Sequence, residues 1–434
     1  MAESVAPAAR GNRLHYAWIV TGITFLTLLV AAGVRSAPSV LIVPLEQEFG
    51  WTRAQISFAI GVQLLLYGLV GPFSAALIER FGLRRIMLIA LGSSAIGFGT
   101  TVFIAQPWHL TLVWGLGVGL GTGSAALIVG AILANRWFYA RRGMVLGVLT
   151  GSAAAGQLIF LPMLAAVVTH FGWRSAVLLT SIIVLAILPL IFLLLRDRPA
   201  DVGLRPYGMP DGIAVEPPPP RANPFGAAMA SLGEGVRSRD FWLLAASFFV
   251  CGASTFGLIG THFIPACLDH GIPEEGAAEL LAGMGVCNVI GTMVSGWLSD
   301  RFDSRHLLFW YYALRGVSLF FLPYAFDLPI WGLIIFGVFY GFDWITTVPP
   351  TVRLVTNVFG IQKTGMIYGW IMVVHQIGAA TLAYASGVLR TESGDYFDAY
   401  MISAVLCFIA ALLVLRVGKA HGQAKRPALV KAEA

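Results

Sequence analysis

The side chains able to do chemistry are a few polar and charged residues set in apolar stretches. Arg35 is the first. It falls in the outer half of the stretch 16–44, which is apolar from Tyr16 to Val34 and long enough to cross a bilayer. An arginine within hydrocarbon costs roughly 2.5–3.5 kcal/mol on insertion scales, so it normally faces a protein interior or a water-filled cavity. Its planar fork matches a carboxylate. One expectation is a fixed cation that binds an anion on a path through the membrane. The other is a structural arginine that snorkels to the outer surface or pairs with a carboxylate.

Other candidates follow the same logic. Gln63 and Tyr67 are four residues apart, so they share a helix face at a depth similar to that of Arg35. Gln157 is near the middle of a fifth apolar span, Asn288 of an eighth, and His375-Gln376 of an eleventh. Each is either a ligand for a polar substrate or an ordinary interhelical hydrogen-bonding group. His375 is the candidate for a charge change near neutral pH. Asp343 and Arg315 lie mid-span in antiparallel neighbours, and pairing would offset the burial cost of each. Asp343 is then either the anchor of Arg315 or a proton site. His262, near an outer helix end, reads as a surface or gating residue. Gly115, Gly117, Gly119, Gly121 and Gly123, and Gly143, Gly147, Gly151 and Gly156, read as sites of close helix packing. Without a strand before them they make no nucleotide loop. Pro349-Pro350 are expected to kink or end the tenth span. No metal cluster, cofactor motif or nucleophile–base pair is visible, which argues against an enzyme and an ATP-driven pump.

These residues must be held by membrane helices. Of 434 residues, 57% are hydrophobic and only 12% charged, about half the charged share of soluble domains. Twelve apolar spans are expected, at 16–44, 54–78, 85–105, 109–134, 144–169, 174–195, 241–267, 277–298, 307–326, 329–351, 365–389 and 399–416. The first is too long for a signal h-region and holds Arg35, so it reads as a retained helix. Cys251, Cys267, Cys287 and Cys407 all sit in apolar stretches and read as free thiols. Twenty-three of the 28 lysines and arginines fall in the segments on one side. Arg53, Arg174 and Arg390 lie on the other, and Arg35 and Arg315 are within spans. That asymmetry puts both termini in the cytoplasm of an inner-membrane protein. It also accounts for the net charge of +6 without a nucleic-acid partner.

The expected division is a tail 1–15, a six-span bundle 16–195, a linker 196–240, a second bundle 241–416 and a basic tail 417–434. The linker contains Glu216-Pro217-Pro218-Pro219-Pro220 and reads as a plain extended tether. Residues 74–85 after the second span match residues 295–306 after the eighth at an offset of 221. Phe49-Gly50-Trp51 meets His270-Gly271-Ile272 at the same offset. Two features at one offset argue for duplication, giving pseudo-symmetric halves.

The repeated segment resembles the loop signature of the major facilitator superfamily, G-x-x-x-D-R-x-G-x-R-R. The first copy carries Glu79, Arg80, Gly82, Arg84 and Arg85, with Ala75 for the first glycine and Glu79 for the aspartate. The second carries Gly296, Asp300, Arg301 and Arg305, with Asp303 for the second glycine. The resemblance implies an all-α membrane protein of twelve helices in two six-helix bundles, and a latch role for these charges. Asn135-Arg136-Trp137-Phe138-Tyr139-Ala140-Arg141-Arg142-Gly143 is similar to the segment between helices four and five of the monocarboxylate transporters and their oxalate–formate antiporter relatives. Phe49-Gly50-Trp51-Thr52-Arg53 points the same way. That family implies a helix-one cation for the substrate carboxylate, near Arg35, and a proton or counter-anion as co-substrate. Its mammalian members carry an Asp and an Arg in helix eight, where this sequence has Asn288 and Thr292. The expected function is therefore transport of a small organic anion by one chain. A drug exporter on the same scaffold would favour an acidic cavity, and a non-transporting sensor would favour a longer signalling segment.

Overall fold

In hydrocarbon every backbone N–H and C=O must find a partner within the protein, so each long apolar stretch winds into a helix. The structure is a computed structural model that describes residues 15–125, 128–210 and 224–418. Glu216–Pro220 and most of both tails lie outside the described residues. The helices are α1 (Tyr16–Phe49), α2 (Arg53–Phe81), α3 (Leu83–Thr100), α4 (Pro107–Trp137), α5 (Arg142–Phe171) and α6 (Trp173–Leu194). After the linker come α7 (Arg239–Asp269), α8 (Glu274–Arg301), α9 (Ser304–Ala325), α10 (Trp331–Phe359), α11 (Ile361–Ser393) and α12 (Phe397–Val414). Eleven of the twelve are apolar enough to read as spans by hydropathy alone. The twelfth, α9, carries Arg315 in its middle.

Most helices run two to four residues past the expected limits, because charged residues such as Arg53, Arg142, Glu274 and Arg301 continue the helix beyond its apolar part. α1 extends five residues further than expected, to Phe49, which leaves Arg35 just past its middle. The turns are short. Gly50, Gly82, Gly172, Gly271 and Gly360 adopt φ between 66° and 89°, where a side chain would be strained. Thr52 and Gln55 form a capping box that starts α2.

Four helices are irregular. α1 breaks at Ala37, where Pro38 has no N–H to donate. α4 and α7 widen to π geometry over Thr111–Gly119 and Ala253–Ile259. α10 breaks after Asp343 and restarts at Val348, with Pro349-Pro350 in the first turn, as those prolines predict.

α1–α6 and α7–α12 form two bundles, which meet where α2 packs on α11 and α5 on α8. Glycines 115, 119 and 123 of α4 sit against α2, and a Cβ on Gly119 would lie 2.7 Å from the Gln63 carbonyl. In α5 the close-packing expectation holds at Gly156, against Leu29. It does not hold at Gly143, Gly147 and Gly151, whose Cβ positions meet open space.

The linker is more than a tether. Its first part docks on α1–α6 through Tyr207, whose N–H donates to the Trp137 carbonyl at 2.8 Å and whose ring meets His15, Trp18 and Phe138. A helix at Pro224–Gly235 lies over α2 and α11. Phe225 stacks on Phe73 of α2, and Trp370 of α11 donates its indole N–H to Ala228 O at 2.9 Å.

Candidate functional site

A small cavity of about 30 Å³ opens beside Arg35, lined by α1 (Leu28, Ala31, Ala32), Tyr67 of α2, Thr122 and Ala125 of α4, and Ala153 of α5. Arg35 is its one charged lining residue. The guanidinium is half-buried between two rings: Tyr67, with its centroid 5.4 Å from Cζ, and Phe256 of α7, at 4.7 Å. Both distances are in cation–π range. Among the described residues Arg35 has no carboxylate partner. The two rings come one from each bundle. Gln63 is buried and donates from Nε2 to the Arg35 carbonyl at 3.4 Å, beside the break of α1, while its Oε1 has no partner. Gln157 is half-buried one turn beyond Ala153 on the same face of α5. Arg35, Gln63 and Tyr67 therefore come together, whereas Gln157 is not among the residues that line the cavity.

The C-bundle candidates are placed differently. Asn288 does not line the cavity. Its Oδ1 accepts from Ile345 N–H at 3.0 Å and Thr292 Oγ1 at 3.1 Å, which satisfies the broken backbone of α10. Gln376 is buried in the α2–α11 seam, its Cβ packed at Gly68. His375 is buried behind Phe256, 5.7 Å between rings. Its Nδ1 lies 3.1 Å from the Phe248 carbonyl and so carries a hydrogen.

Asp343 does pair with Arg315, Nε to Oδ2 at 2.7 Å, in full burial. Arg315 also donates to Thr255 Oγ1 at 3.0 Å, Cys251 Sγ at 3.2 Å and the carbonyls of Asp343 and Trp344. Thr346 donates to Asp343 Oδ1 at 3.0 Å. Every face of this pair is hydrogen-bonded, as a buried pair requires.

At the face opposite the arginine-rich helix ends, a second cluster ties the bundles together. Arg53 is 3% exposed and contacts Asp269 at 2.6 Å, Glu46 at 2.9 Å and Tyr396 Oη at 2.9 Å. Arg390 reaches the same Asp269 at 2.9 Å. His262 is buried here and not on the surface, with Nδ1 3.1 Å from Tyr396 Oη and Nε2 2.8 Å from Ala383 O. Burial pushes the Tyr396 phenol up to about 12. Sequence reasoning missed this cluster, although the 221-residue offset aligns Glu48 with Asp269, each an acid at a helix end paired with an arginine.

At the arginine-rich face Arg84, Asp300 and Arg305 have partners in their own half of the chain or in the linker. Arg84 N–H donates to Asp197 at 2.8 Å, and its guanidinium donates to the Phe192 carbonyl. Glu79 and Arg80 sit at the exposed end of α2, where Arg80 lies over Phe81, and Arg85 follows in α3. Asp300 meets Arg353 at 2.7 Å, and Arg301 lies over Trp297 at 3.9 Å. Arg305 pairs with Asp303 at 2.7 Å, and its hydrogen bonds hold that carboxyl below the usual carboxylate range.

This architecture has known counterparts. The family model of the Major Facilitator Superfamily matches residues 24–383 and 263–432. An uncharacterized MFS-type transporter of Bacillus subtilis, YcxA, is 24% identical over 90% of this chain and 92% of its own length. Human monocarboxylate transporter 11 is 26% identical over 93% of this chain and 83% of its own, and the Bos taurus monocarboxylate transporter 13 is 26% identical over 89% and 86%. A bacterial homologue of the human lysosomal transporter Spinster, solved in an inward-facing conformation, superposes with a TM-score of 0.71. It is 14% identical and covers 93% of this chain and 97% of that one. Two six-helix bundles around a central cation, with a family match along nearly the whole sequence, make this chain a member of the Major Facilitator Superfamily of transporters.

Proposed function

We propose that this protein moves a small organic anion, a monocarboxylate, across the plasma membrane by alternating access of bundles 16–195 and 241–416. The observation that carries this reading is Arg35: an intramembrane guanidinium at a central cavity, with aromatic faces around it and no carboxylate partner among the described residues. Such a cation needs an anion, and one cation suits one carboxylate. Tyr67 and Thr122 supply the polar rim, Gln63 holds the Arg35 carbonyl behind it, and the alanines and Leu28 supply the wall for a short carbon chain. The similarity to monocarboxylate transporters supports the same reading.

The substrate is driven either by protons, with His375 or Asp343 as the titrating group, or by exchange against a second anion. In this proposal the arginine-rich face is cytoplasmic, both termini lie there, and one chain suffices. Uptake of labelled mono- and dicarboxylates into proteoliposomes tests it, with an inward proton gradient, without one, and with unlabelled acid preloaded. The expected result is saturable monocarboxylate uptake stimulated by the gradient or the preload, and at least a tenfold loss with Arg35→Ala, the size of one charge-assisted contact of about 1.5–3 kcal/mol. Full uptake by Arg35→Ala would remove the site. No uptake under any condition would remove the carboxylate reading.

A further inference from the structure

The widened turn of α7 faces two places at once. On one side Cys251 and Thr255 accept from the buried Arg315, at 3.2 and 3.0 Å. On the other side the next residue, Phe256, reaches across to the opposite bundle and lies 4.7 Å from the Arg35 guanidinium. Phe256 also packs on Trp344, 6.4 Å between rings, and the Trp344 carbonyl is itself held by Arg315 at 3.1 Å. The ring is thus braced from both neighbours by one buried arginine. A π turn adds a residue to the helix locally and often marks a functional position. Here it lets adjacent residues serve opposite sides of the helix.

We propose that Phe256 is a specificity-determining residue for transport: braced by Arg315, it covers Arg35 from the opposite bundle and limits the carbon chain of the anion that the guanidinium accepts. This rests on the carboxylate reading and deepens it. The ring covers one face of the cation from outside the residues that line the cavity, so an incoming carboxylate meets Arg35 by its N–H edge and its carbon chain extends from the cavity toward the ring. Longer acids are excluded by volume and short ones are retained.

The test is uptake of straight-chain monocarboxylates of increasing length into proteoliposomes, with KM and maximal rate measured separately. It compares the unaltered protein with Phe256→Trp, Phe256→Leu, Phe256→Ala and Thr255→Val. A few methylenes of pocket space are worth about tenfold or more in discrimination. The expected result is that the long-to-short selectivity ratio rises about tenfold with Phe256→Ala, through KM of the long acids. It rises less with Phe256→Leu, falls with Phe256→Trp, and rises slightly with Thr255→Val as the brace loosens. A ratio that ignores the volume of residue 256, or a maximal rate lowered equally for every acid, would overturn the assignment. The graded series keeps the test decisive if the alanine variant fails to fold. No ratio change with Thr255→Val would remove the brace. No carboxylate uptake by the unaltered protein would overturn the underlying reading and this one with it, an outcome distinct from uptake with unchanged selectivity.

Discussion

Arg35 and Arg315 are two intramembrane arginines with different surroundings. Both lie over two aromatic rings, but Arg315 is saturated by Asp343, a thiol, two hydroxyls and two carbonyls, whereas the Arg35 guanidinium has no carboxylate partner among the described residues. The pairing of Arg315 with Asp343 was legible. A turn of a few residues at Asp327–Pro329 forces α9 and α10 to run antiparallel, and the two residues lie at similar distances from it. The acceptors on α7 were not legible, because no sequence rule brings α7 beside α9. Removing one partner of a buried pair costs about 3–5 kcal/mol, whereas apolar replacement of both is often neutral. Asp343→Ala should therefore lower the thermal unfolding temperature of the detergent-solubilised protein by many degrees, and Arg315→Leu with Asp343→Leu should recover much of the loss. A double variant as unstable as the single one would refute this account of the pair.

At the scale of the element, one residue type does two jobs. The α4 glycines permit close approach: a Cβ at Gly119 would press on the Gln63 backbone at 2.7 Å. Gly147 of α5 faces open space, and there alanine restores helix propensity worth about 0.8–1.0 kcal/mol. Gly119→Ala should lower the unfolding temperature, while Gly147→Ala should leave it unchanged or raise it. Equal effects would mean that packing does not separate the two helices. Composition could not tell these glycines apart, since helical spacing identifies a face but not its neighbour. The broken α10 was legible from Pro349-Pro350, because proline chemistry is local. The π turn of α7 was not, because no residue type encodes it.

Across the whole molecule, Arg53 and Asp269 join bundles whose helices are 216 residues apart in sequence, and they do so at one face only slightly exposed to solvent. A tie of this kind must release if that face is to open. Arg53→Gln should loosen it. Cys267, fully buried two residues before Asp269, then reports the change. Its alkylation by a membrane-impermeant maleimide should speed up several-fold over the unaltered protein, as measured by mass spectrometry, while buried Cys407 stays protected. An unchanged Cys267 rate would show that the cluster does not hold the face shut.

The sequence by itself determined the helices, their number, the duplication and the family, because each depends on local hydropathy, proline and glycine chemistry, or a motif read along the chain. It also marked Arg35, since an arginine in an apolar span is conspicuous wherever it folds. Only the tertiary structure decided what surrounds it. Phe256 is one of 28 phenylalanines and has no mark of its own. It matters because the two bundles pack so that α7 crosses α1 at Arg35. Asn288 and Gln376 looked like equals of Gln63, and the fold turned one to a broken backbone and the other into a seam. A side chain's chemistry is written in its own residue, but its partner is chosen by contacts between segments hundreds of residues apart.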